Sequence, residues 1–111
     1  MENLERYRSY IKQLLTEYAS LSHSDDEAQT ELVFDNERDH YQVVNTGWKN
    51  RRPMYGCVLH VDIKGDKIWI QHDGTEIGIA DELVKLGVPK SDIVLAFHEP
   101  LVRQYTGFAV G

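Results

Sequence analysis

His72, Asp73, Thr75 and Glu76 fall in one short run, His72-Asp73-Gly74-Thr75-Glu76. A histidine oriented by a carboxylate can act as a general base, so this polar cluster is the first place to look for chemistry. The run continues Lys67-Ile68-Trp69-Ile70-Gln71, whose alternation reads as a β-strand. The cluster would therefore stand at a strand end. Regular alternation sends His72 and Asp73 to opposite faces. Asp-Gly is also an ordinary turn pair, and Asp and Thr side chains there commonly satisfy backbone N–H groups. The residues favour a strand end and turn, with His72 on the core side and hydrogen-bonded. No catalytic residue is assigned.

Metal binding would draw on Cys57, His60, His72, His98 and nearby carboxylates. Cys57 and His60 are three apart on an expected strand and point to opposite faces. No CxxC or HxxxH spacing occurs, whereas a structural zinc site takes four convergent nitrogen or sulfur ligands. No metal or cofactor is expected. Cys57, in mid-strand on the apolar face, reads as an inert thiol. There is no GxSxG elbow, GxGxxG turn or P-loop.

These residues must be positioned by a small α+β domain spanning 1–111. Leu4, Tyr7, Ile11, Leu14, Leu15, Tyr18 and Leu21 recur at spacings of three and four, which predicts a helix over about 4–21 capped by Asn3. Ser22 to Glu27 reads as a polar surface loop carrying an exposed His23. Strands are predicted at Thr30–Phe34, Tyr41–Asn45, Tyr55–Ile63 and from Lys67, as a four-stranded antiparallel meander with a loop at 47–53. In the third strand Tyr55, Cys57, Leu59, Val61 and Ile63 share the core face. A turn at Lys64-Gly65-Asp66-Lys67 sets Ile63 opposite Ile68, Val61 opposite Ile70 and Leu59 opposite His72. On the reverse face Asp62 meets Trp69, His60 meets Gln71 and Val58 meets Asp73. A second helix over Ile79–Leu86 ends at Gly87, a further strand at 93–97 is buried on both faces, and Pro100 opens a short C-terminal helical turn.

The reverse face carries Trp69, Gln71, His60 and Asp62. With Tyr105 these form a candidate partner surface, because Trp and Tyr anchor protein interfaces. The alternative is that the second helix covers that face. The charge supports protein over nucleic acid as partner. Residues 1–47 hold ten acidic and four basic side chains, giving −6, while the rest of the chain is neutral. Phosphate-backbone binding needs clustered Lys and Arg, and the one basic cluster is Lys49, Arg51 and Arg52. No tight direct DNA binding is expected. A single cysteine and the lack of a signal peptide or a ~20-residue apolar span point to the cytoplasm and away from membranes.

Several runs resemble the XisI-like proteins, described as controlling factors for excision of the fdxN element in cyanobacteria. They include Arg38-Asp39-His40-Tyr41-Gln42, Val44-Asn45-Thr46-Gly47-Trp48, His60-Val61-Asp62-Ile63-Lys64, the whole of Lys67 to Glu76, Asp92 to His98, and Arg103 to Val110. The resemblance implies an α+β fold and a non-enzymatic role in programmed DNA excision during heterocyst differentiation. It implies a XisH-like, nuclease-related protein as partner and a separate site-specific recombinase. It brings no catalytic residue, metal or cofactor. Two other readings stay open: an inhibitor or antitoxin-like subunit of a nuclease, and a small enzyme using His72 with Asp73 or Glu76. A homo-oligomer, the target element and the partner-binding face are also left open.

Overall fold

The computed structural model describes residues 2–21, 28–76 and 78–111. The expected loop at 22–27, with His23, lies outside the described residues. Helix α1 (Glu2–Leu21) is followed by strands β1 (Ala28–Asp35), β2 (His40–Lys49), β3 (Arg52–Lys64) and β4 (Lys67–Asp73). Then come helix α2 (Ile79–Lys85), a 3-10 turn at Lys90–Asp92, strand β5 (Ile93–Leu95) and a short helix α3 (Pro100–Arg103). The sheet order is β1-β2-β3-β4-β5. The first four strands form the expected antiparallel meander, and β5 adds to β4 in parallel. The expected α+β architecture is what the chain adopts.

Helices α1 and α2 pack on one face of the sheet. Tyr7, Ile11 and Leu15 of α1 and Ile79 and Leu83 of α2 join Tyr41, Val43, Leu59, Val61, Ile68, Ile70 and Ile93 in one buried cluster. The α1 stripe buries as its periodicity requires, except that Leu21 at its end is exposed. Two polar ties fix the helix over the sheet. Arg8 meets Asp39 side-on, with Nε at 2.7 Å from Oδ1 and Nη2 at 3.0 Å from Oδ2. The Tyr7 hydroxyl donates to Asp92.

The hairpin turns follow from local chemistry. Gly65 and Asp66 both have positive φ, as a two-residue turn matching strand twist demands. Asn50 and Arg51 make a second such turn, so the expected loop at 47–53 is instead the tip of a long β2–β3 hairpin. Strand β5 is shorter than its apolar run, stopping at Leu95, and Phe97 is exposed.

Two bulges change which residues share a face. The first lies in β3, where Val43 pairs with Leu59 but Val44 pairs with Cys57, leaving Val58 as the extra residue. Cys57 therefore leaves the core face expected for it and joins the side of Val44, as a bulge reverses the alternation beyond it. The second lies in β4. Ile63–Ile68, Asp62–Trp69 and Val61–Ile70 pair as the turn dictates. Beyond them His60 pairs with His72 and Leu59 with Asp73, with Gln71 as the extra residue. The expected pairs Leu59–His72, His60–Gln71 and Val58–Asp73 do not form.

Candidate functional site

The β4 bulge decides the fate of the polar run. His72 is exposed, not core-side as a regular strand would place it. Asp73, opposite Leu59, turns to the core side instead. Its carboxylate accepts from the Thr75 N–H at 2.8 Å, from the Thr75 hydroxyl, and from the Ile79 N–H at 2.8 Å. Asp73 thus shapes the turn and caps α2, an end that lacks a side-chain cap from Gly78. Gly74 is held close: its N–H bonds to the Val58 carbonyl at 2.8 Å, and a Cβ there would stand 3.2 Å from that oxygen. Thr75 and Glu76 line a cleft of ≈ 640 Å³ with Leu14, Tyr18 and Ile79, but His72 and Asp73 do not. The four residues of the expected cluster are not brought together on a common opening, and the general-base reading of His72 loses its carboxylate.

The sheet's other face holds a different cluster. His40, the first residue of β2, lies directly opposite Asp62 of β3. His60 stands two residues before Asp62 and so on the same face. His40 Nδ1 is 2.8 Å and His60 Nε2 2.9 Å from the same oxygen, Asp62 Oδ1. The Gln71 amide donates to Asp62 Oδ2 at 3.3 Å, and the Gln42 amide is 3.3 Å from His60 Nδ1. Asp62 is only 5 % exposed, whereas the His40 side chain is 52 % exposed. Among the described residues, His40, His60 and Asp62 are the one group of three whose donor atoms converge enough to hold a metal ion. Sequence reading named His60 and Asp62 as surface residues and passed over His40. The signal was the His60-Val61-Asp62 alternation together with a histidine at the start of the neighbouring strand, which becomes informative once the β2–β3 register is known.

Trp69 shares this face but is not free, and what lies against it is Lys64 and Arg103 of α3 rather than the second helix. The Lys64 ammonium lies 4.5 Å and the Arg103 guanidinium 5.6 Å from its ring centre. Its Nε1–H donates to the Lys64 carbonyl at 3.2 Å. The C-terminal segment runs beside it: the Ala109 N–H bonds to the Ile93 carbonyl at 2.8 Å, and Ala109 pairs with Val94 in parallel. Of the expected partner surface, Asp62 is buried, His60, Gln71 and Trp69 are half-buried, and Tyr105 is 83 % exposed. Cys57 donates to the Leu59 carbonyl at 3.2 Å, and burial pushes its thiol up from the ordinary value; both favour an unreactive thiol.

With this geometry in hand, comparison with known proteins is decisive about kinship. The XisI protein family matches residues 1–110. The chain belongs to the XisI family. A crystal structure of a XisI-like protein from Anabaena variabilis is 46 % identical, with a TM-score of 0.94, covering 97 % of this chain and 99 % of that one. The fdxN element excision controlling factor XisI from Anabaena variabilis is 34 % identical, with a TM-score of 0.89, covering 98 % and 99 %. No curated protein matches the chain. The XisI relative is named for a regulatory role, not an enzymatic one, which accords with the expectation of a non-enzymatic protein. No described helix is long and apolar enough to cross a membrane.

Proposed function

We propose that this protein is a non-enzymatic regulatory factor in the excision of a DNA element, acting through contacts with a XisH-like, nuclease-related protein and a site-specific recombinase. The observation that carries the reading is the full-length likeness to an excision controlling factor, in sequence and in fold. Within the polar run that would have suggested an enzyme, Asp73 and Thr75 are committed to closing a turn and a helix end. A net charge of −6 disfavours direct binding to a phosphate backbone. Tyr105, Leu101 and Phe97, exposed around α3, offer the apolar and aromatic side chains that protein contacts use.

The test is co-expression with a XisH-like protein, followed by co-purification and a nuclease assay on duplex DNA. Co-purification that weakens in a Tyr105→Ala, Leu101→Ala variant is the expected result. Suppressed cleavage in the complex would direct the same contact towards an inhibitor role. Tight, steeply salt-dependent binding of duplex DNA by the protein alone, without partner co-purification, would sink the proposal.

A further inference from the structure

We propose that His40, His60 and Asp62 form a binding site for a divalent transition-metal ion of the zinc class. The placement is a consequence of the sheet. Antiparallel pairing sets His40 opposite Asp62, and period-two alternation returns His60 to the same face. Three donors of the types that bind such ions thus project from two neighbouring strands, which hold them more firmly than a loop would. Their ligand atoms all lie within 4.8 Å of one another. The distances of 2.8 and 2.9 Å from the two imidazole nitrogens to Asp62 Oδ1 suit adjacent coordination positions. Two ligands each about 2.1 Å from an ion are about 3.0 Å apart at right angles and about 3.4 Å apart in the tetrahedral arrangement zinc prefers, so the nitrogens need move outward by only about 0.5 Å to admit it.

Charge argues in the same direction. Asp62 is buried, and an ionised carboxylate in that position needs compensation. Among the described residues its partners are His40, His60 and Gln71, none of which carries a fixed positive charge. A divalent cation would supply it, with His40 Nδ1 and His60 Nε2 turning lone pairs to the ion beside Asp62 Oδ1. The surrounding residues resemble an outer coordination shell. Gln71 holds the second carboxylate oxygen. The Gln42 amide, turned to offer its oxygen, would accept the His60 Nδ1–H and fix Nε2 as the ligand atom. The half-exposed His40 leaves a path from solvent and room for water ligands. Two imidazoles with one carboxylate favour zinc, cobalt, nickel or ferrous iron over magnesium or calcium, which prefer oxygen donors.

The experiment is calorimetric titration of tag-free, chelator-treated full-length protein with ZnCl₂, paired with CoCl₂ titration followed by visible absorption. One equivalent should bind, with a cobalt ligand-field band. His40→Gln, a change at a half-exposed position that circular dichroism can confirm as folded, should weaken binding at least about tenfold, as should Gln71→Ala through the outer shell. His72→Ala and His98→Ala should bind as the parent does. Absence of zinc binding, or binding that survives His40→Gln and His60→Ala together in folded protein, or binding lost in His72→Ala, would overturn the assignment.

Discussion

The Asp73 carboxylate accepts from the backbone N–H of Ile79 at 2.8 Å, closing the end of β4 onto the start of α2. The same carboxylate takes the Thr75 N–H and hydroxyl. Its role is therefore that of a helix cap reaching across a turn. Asp73→Ala should cost about 0.5–2 kcal/mol, the range for losing a capping side chain. His72→Ala, at an exposed position, should stay within about 0.5 kcal/mol of the parent. Urea denaturation of the two variants checks both. Equal losses would show that the run acts as a unit after all.

That relationship also marks where sequence reasoning stopped. The α1 stripe, the meander and the register Ile63–Ile68 follow from periodicity and from a glycine turn, and the structure contains them. The bulges at Val58 and Gln71 leave no mark in apolar alternation, because the extra residue is itself of a type that the strand accommodates. Each inverted the faces beyond it, moving Cys57 off the core face and exchanging His72 with Asp73. The His40–Asp62 contact was illegible for another reason. It depends on the register between β2 and β3, and the true β2–β3 turn at Asn50-Arg51 has positive φ without a glycine. The C-terminal cover over Trp69 arises from contacts far apart in sequence, which no local pattern encodes.

Acid stability should depend on Asp39. Its hydrogen bonds from Arg8, reinforced by the Tyr41 hydroxyl at 2.8 Å, hold the carboxyl below its ordinary value of 3.8 despite desolvation. The folded state thus releases this proton more readily than the unfolded one. The stabilisation is present above the unfolded value and is lost as pH falls through the lower folded value. Asp39→Asn should be less stable near neutrality and should lose less on acidification from about pH 5 to about pH 2. Melting temperatures across that range provide the measurement; parallel curves for parent and variant would remove Asp39 from the account.

The alkaline limb should report Tyr7. Burial first, then the hydrogen bond to Asp92, pushes its hydroxyl up from 10.0 to about 12. An acid whose folded value is raised contributes stability that is complete below its unfolded value and declines as pH rises towards the folded one. The parent should therefore lose stability between pH 10 and about 12, and Tyr7→Phe should decline less steeply there. Burial raises Tyr41 in the same direction, with its bond to Asp39 adding to the effect, so the double variant Tyr7→Phe, Tyr41→Phe should be flatter still. At neutral pH each loss should be about 1.5–3 kcal/mol, the usual worth of a hydrogen bond to a carboxylate. Denaturant midpoints on either side of pH 10 separate the two contributions from general base-induced unfolding.

The two tryptophans offer a direct check on the sheet's second face. Trp48 sits on the hairpin beyond the end of β1 and is 62 % exposed. Trp69 is flanked by Lys64 and Arg103 and runs beside the chain end, where Lys67 also donates to the Gly111 carbonyl. Acrylamide is the right quencher, since iodide would be concentrated by those two cations. Fluorescence of Trp69→Phe, which reports Trp48, should be strongly quenched, and that of Trp48→Phe, which reports Trp69, only weakly. Deleting residues 109–111 removes the Ala109 bond to Ile93 and uncovers the fully buried Val94. Quenching of Trp69 should then rise towards that of Trp48, with a loss of stability from the exposed apolar surface. If the deletion left Trp69 as protected as before, the C-terminal segment would not be its cover.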